Sequence, residues 1–162
     1  MKKISLIIIL MLFSFTMASQ SLFINNENYP STETLELTRN VFEKVEISIA
    51  KKPDGSGIIL ITDNGHGQDK IKGKLIIYLE DQTLISCIDR GIYDSVNYSI
   101  STAYFLSKNE LLKLTNVNIS SIRYTVRYSV GYSENRSAEN GRKGSDFIPK
   151  INFPEHIYKL IN

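Results

Sequence analysis

Residues 122–130 alternate Ile122, Tyr124, Val126, Tyr128 and Val130 with Arg123, Thr125, Arg127 and Ser129, and no other stretch constrains the fold as tightly. Only a β-strand sends successive side chains to opposite faces, so this segment has one core face and one wet face. The same period appears upstream, where Val45, Ile47 and Ile49 alternate with Glu46 and Ser48. Pro53, Asp54 and Gly55 then supply turn chemistry, and the almost wholly apolar run 57–62 reads as a strand covered on both faces, completing a hairpin. A glycine-rich connector, 63–69, leads to a second hairpin formed by 74–80 and 83–89. Apolar residues on both faces of its arms place that hairpin centrally in a sheet. Residues 91–98 read as looser, and 99–106 as a further strand.

Ser107 followed three residues later by Glu110 is a capping box: the serine accepts from a free first-turn N–H and the glutamate reaches back to the cap. A helix of about two turns should start there and dock Leu111 and Leu114 on the sheet. Phe153-Pro154-Glu155 opens a second short helix, with Ile157, Leu160 and Ile161 facing the body. Residues 19–40 are polar and read as an extended lead-in with one short strand at 34–37. Residues 131–146 are polar too, and their composition reads as a mobile loop. The expected fold is α+β: a mostly antiparallel sheet of five or six strands, one short capped helix packed on a face, and a short C-terminal helix.

Cys87 is the only cysteine, so no internal disulfide can form and stability must come from packing. It sits in an apolar run without a basic neighbour, which describes a buried hydrophobe rather than a nucleophile. Residues 1–18 carry Lys2 and Lys3, then an apolar run over 4–15, then the small residues Thr16 and Ala18, the order of a secretory signal peptide. The apolar run falls short of the roughly 20 residues a membrane-spanning helix needs. The expected organisation is therefore a signal peptide at 1–18, the lead-in at 19–40 and a single domain at 41–162, secreted or periplasmic and without stable membrane insertion. The chain has 19 basic and 17 acidic residues, and losing the two leader lysines brings the charge to zero. Zero net charge offers no electrostatic ground for nucleic-acid binding.

No serine elbow, phosphate loop or dinucleotide fingerprint is present, and no cofactor is expected. His66 lies between Asp63 and Asp69, but Gly65 and Gly67 stand where a calcium loop would need ligands, so no metal site is expected. Asp81, Asp89 and Asp94 gather at a hairpin end for turn reasons. Arg123 and Arg127 are four apart on one strand, hence on the same wet face about 13 Å from each other. Arg136, Arg142 and Lys143 follow in the polar segment that can fold over that face. The expected function is an exported binding or accessory module whose Arg123 and Arg127 meet carboxylates or sulfates of a glycan or an extracellular protein. A small secreted enzyme without a recognisable motif is the alternative, and a deep pocket with convergent polar groups would favour it.

Overall fold

The computed structural model describes residues 20–40, 42–66, 68–142 and 147–162; the leader at residues 1–18 lies outside them. The chain runs β1 (Ser21–Ile24), β2 (Glu27–Pro30), β3 (Leu35–Thr38), β4 (Lys44–Lys51), β5 (Gly57–Asn64), β6 (Lys70–Ile71), β7 (Leu75–Leu79) and β8 (Leu84–Cys87). It continues with β9 (Asp89–Val96), β10 (Ser99–Leu106), α1 (Lys108–Leu114), β11 (Ile119–Arg127), β12 (Ser133–Glu139) and α2 (Phe153–Ile161). Ten of the strands form one antiparallel sheet in the order β8-β7-β11-β12-β3-β4-β5-β10-β9, with β6 also paired to β11. β1 and β2 form a separate hairpin.

The expectation of five or six strands with a helix on a sheet face is overturned. A twisted ten-strand sheet tends to curl, and this one nearly closes into a barrel. Its terminal strands β8 and β9 are separated in the chain by Ile88 alone, and β6, paired to β11, also lies against β9 and β10. Thr102 Oγ1 of β10 donates to the Ile71 carbonyl of β6 at 2.8 Å across this seam. Segments expected to be irregular supply the extra strands: 19–40 holds β1 and β2 besides the short strand expected at 34–37, which is β3, 91–98 falls mostly in β9, and 131–146 contains β12. The second hairpin is not central either, since β8 ends the strand order and Leu84 and Ile88 are exposed.

Alternation fills the interior. Leu37, Val45, Ile47, Ile49, Ile59, Ile61, Leu75, Ile77, Tyr104, Ile122, Tyr124 and Val126 are buried in one cluster. The β1–β2 hairpin covers part of the outside, where Ile24 and Tyr29 pack on Ala50, Ile58 and Ala103. That cover explains the two-sided burial of β5. The hairpin turns at Asn25 and Asn26, both at positive φ (51° and 65°), a conformation asparagine tolerates better than most residues.

The helices sit at the barrel end where Lys51, Gly57 and Leu106 pair. Leu111 and Leu114 are buried there; a Cβ at Gly57 would come within 3.1 Å of Leu111, so glycine lets α1 settle close. Lys51 Nζ donates to the Ile161 carbonyl at 2.8 Å, tying α2 to β4. The capping box is formed: Glu110 N–H donates to Ser107 Oγ at 3.3 Å, and Ser107 N–H to Glu110 Oε2 at 2.7 Å. Ser107→Ala should therefore cost about 1 kcal/mol, measured as a shift of the urea unfolding midpoint at constant slope. An unchanged midpoint would mean the cap contributes nothing.

Candidate binding face

β11 holds the alternation read from its sequence only as far as Arg127; beyond it Tyr128 is half-buried and Val130, expected on the core face, is 79% exposed in a turn. Tyr124 and Val126 are buried, while Arg123 and Arg127 are exposed on the outer face. On one side β12 sets Ser137 opposite Arg123, Asn135 opposite Thr125 and Ser133 opposite Arg127. On the other, Ile76 of β7 lies opposite Arg123 and Lys70 of β6 opposite Arg127. The chain leaving β6 stays on β11, with Lys72 N–H donating to the Thr125 carbonyl at 2.8 Å. Lys74 then joins Ile76, Arg123, Thr125 and Asn135 around a shallow depression of about 290 Å³.

Five cations thus share one region of sheet: Lys70, Lys72, Lys74, Arg123 and Arg127. Among the described residues none of them forms an ion pair, although Arg39, Lys44, Lys52, Lys113, Arg136, Lys150 and Lys159 each do. Lys70 directly opposite Arg127 is a like-charged register pair, worth a few tenths to about 1 kcal/mol of repulsion. The other such pair, Glu36 opposite Glu46, is relieved by Lys44, which bonds Glu36. Neither Lys70 nor Arg127 has an ion-pair partner among the described residues; the Lys70 ammonium lies over the Tyr93 ring, 5.5 Å from its centre. Asp89 accepts from Gly73 N–H, Gly91 N–H and the Tyr93 hydroxyl, and the Lys72 charge acts on it without forming an ion pair. Glu139 lies beyond Ser137 on β12, opposite Ser121.

Of the basic residues expected to fold over this face, Arg136 goes elsewhere, while Arg142 lines a pocket that includes Ser121 of β11 and Glu139 of β12. Arg136 lies on β12 opposite Tyr124, which turns it inward; its Nη1 is 2.6 Å from Asp63 Oδ2. Arg142 pairs through its backbone with Ile148, and Lys143 lies outside the described residues. Tyr128 is only half-buried and stacks on Tyr132, with ring centres 4.3 Å apart.

The residues weighed for chemistry are committed to structure. Asp63, with no side-chain exposure, accepts from Tyr124 Oη (2.7 Å), Arg136 Nη1 (2.6 Å) and Arg39 Nη1 (3.2 Å) on one oxygen and from Asn64 N–H (2.7 Å) on the other. Backbone N–H groups of Ser129 and His66 hold Asp69 below the usual carboxylate range. Arg39 does the same to Glu43, and Tyr128 with Arg136 to Glu134. Burial, then the Asp63 charge, pushes Tyr124 up. General acid catalysis at neutral pH needs a carboxyl pushed the other way, so none of these three acids is set up as a proton donor. Burial pushes the Cys87 thiol up to about 12, which leaves it inert. Among the described residues no group of three or more His, Cys, Asp and Glu side chains is placed to hold a metal ion.

Sequence reasoning singled out Arg123 and Arg127 and did not consider Lys70, Lys72 and Lys74, which the fold brings beside them. Their alternate spacing on a short segment was the available signal. Comparison with protein-family models, with curated proteins and with solved structures finds no match.

Proposed function

We propose that this chain is an exported binding module whose outer β11 face takes a linear anionic polysaccharide. The carrying observation is the cation strip, with Lys70 set against Arg127 and no carboxylate paired to either. Stability alone favours an acid in such a position, so an external anion is the natural counter-ion. A glycan suits the strip better than a protein surface does. Thr125, Ser133, Asn135 and Ser137 flank the cations with hydroxyls and an amide, and no large exposed apolar residue offers the anchor that protein interfaces centre on. Nucleic acid is disfavoured, because the rings beside the strip are already engaged, Tyr132 stacked on Tyr128 and Tyr93 under the Lys70 ammonium. The signal-like leader supports export.

The test is calorimetric titration of the chain with polygalacturonate and chondroitin sulfate, beside neutral dextran, at several salt concentrations. An anionic chain should bind, and binding should weaken as salt rises. Exposed charge pairs contribute about 0.2–1 kcal/mol each, so Arg123→Ala with Arg127→Ala should weaken binding roughly two- to thirtyfold and flatten the salt dependence. The unfolding midpoint should hold or rise slightly, by up to about 1 kcal/mol, because neither side chain enters the core and removing Arg127 relieves its repulsion with Lys70. Full binding by the double variant, or equal binding of dextran, defeats the proposal.

A further inference from the structure

The barrel end opposite the helices is open, and four chain segments meet around its mouth. Arg39 and Glu43 come from the β3–β4 connection, Gly65 and His66 from beyond β5, Tyr98 from the β9–β10 turn, and Tyr128 and Arg136 from the β11–β12 hairpin. They line a cleft of about 580 Å³, within the range of small-ligand sites. Gly65 N–H donates to the Tyr98 carbonyl at 2.9 Å, and the His66 and Tyr98 rings meet edge to face at 5.4 Å. A Cβ on Gly65 would fall 2.7 Å from Ile100, so only glycine lets this wall close up.

Below the cleft, both guanidiniums converge on buried Asp63, while rim carboxylates hold their outer edges. Glu43 forks onto Arg39 (3.1 Å to Nε, 2.5 Å to Nη2), and Glu134 accepts from Arg136 Nε at 3.0 Å. Tyr128 bonds both Glu134 and Arg136. These contacts hold the two arginines, Glu43, Glu134 and Tyr128 in place and narrow the ligand by elimination. Asp63, Asp69, Glu43 and Glu134 outnumber Arg39 and Arg136, so an anion is repelled. An ammonium group could give to the spare lone pairs of these carboxylates, but having no acceptor it would leave the free arginine N–H groups unpaired. No aliphatic side chain lines the cleft, which removes acyl chains.

A ligand whose groups both donate and accept remains. Hydroxyls can take the arginine N–H bonds not used internally and give to the spare lone pairs of the rim carboxylates, while the C–H face of a sugar ring lies on Tyr98, 69% exposed at the wall. We propose that this mouth cleft is a binding site for a neutral saccharide unit, separate from the outer face of β11 and independent of its reading.

The chain has nine tyrosines and no tryptophan, so its intrinsic fluorescence reports on tyrosine and can be followed alongside calorimetry. The probes are glucose, galactose, mannose, N-acetylglucosamine and the disaccharides cellobiose and lactose, with galacturonate and glucosamine as charged arms. At least one neutral sugar should bind saturably. Tyr98→Ala, at an exposed position, should keep the unfolding midpoint and weaken that binding roughly three- to tenfold. Arg123→Ala with Arg127→Ala should leave it unchanged. No saturable neutral binding up to about 10 mM (a Kd in the millimolar range is already weak), binding of the charged probes alone, or undiminished affinity in Tyr98→Ala would overturn the assignment.

Discussion

Asp63→Asn should destabilise the domain by about 3–5 kcal/mol, the cost of removing one partner from a buried ion pair. The asparagine keeps the size of the side chain and an acceptor for Tyr124, but it strips the charge from beneath two guanidiniums only 15% and 11% exposed. Glu43 and Glu134 stay on the outer edges and cannot reach inward without giving up their present bonds. For a domain of this size each kcal/mol lowers the melting temperature by roughly 2–4 °C, so calorimetry should resolve the drop easily. A control separates charge from shape. Replacing Asp63, Arg39 and Arg136 with Leu, Met and Met, together with Tyr124→Phe, Glu43→Gln and Glu134→Gln, removes the whole ionic set without stranding the buried Tyr124 hydroxyl, and buried sets so replaced are often neutral or better. If Asp63→Asn costs less than about 1 kcal/mol, the mouth is not held by this carboxylate.

The same aspartate marks where the sequence is legible and where it is not. Ile59, Ile61 and Asp63 fall on one face of β5, so extending the period of two past Thr62 would have placed the acid inward. The glycines after it argue for a connector and hide that continuation. β12 escapes for a related reason: its inward residues are Glu134, Arg136 and Ala138, and its outward ones Ser133, Asn135 and Ser137, so hydropathy sees polar residues on both faces. Its core contacts are mostly charge pairs, which a hydrophobic pattern cannot report. The clean alternations of β4 and β11, the apolar run of β5, the capping box at Ser107 and the proline-led tail helix are all visible because each depends on neighbours within a few residues. Barrel closure depends on pairings such as β7 with β11 and β3 with β12, and nothing local encodes them. The outward aim of Arg123 and Arg127 follows from alternation alone. That Lys70 comes to stand opposite Arg127 requires the register, and so the strip as a whole appears only in the fold.

Phe153→Ala should cost about 3–5 kcal/mol, the usual toll for emptying a fully buried aromatic site. Phe153 has no exposure and opens α2, with Ile157 buried one turn later. Two asparagines hold the approach. Asn140 donates to the Ile119 and Ile151 carbonyls and accepts from Ile151 N–H, each at 2.8 Å, while Asn118 accepts from Phe153 N–H at 3.1 Å. Because these bonds fix the backbone where Phe153 enters, α2 cannot slide to fill the void, and the full cavity cost should appear. Phe153→Leu, which retains most of the volume, should lose far less, and the contrast between the two variants measures the cavity. The ligand readout should separate the two ends of the barrel. Along β5 the helix end at Gly57 and the cleft end at Asn64 are seven residues, or about 23 Å, apart. At a temperature where Phe153→Ala remains folded, its affinity for whatever sugar the cleft takes should match that of the unaltered chain. A stability loss below 1 kcal/mol would mean that α2 is not a structural closure of the barrel, and a parallel loss of sugar affinity would mean that the two ends do not act independently.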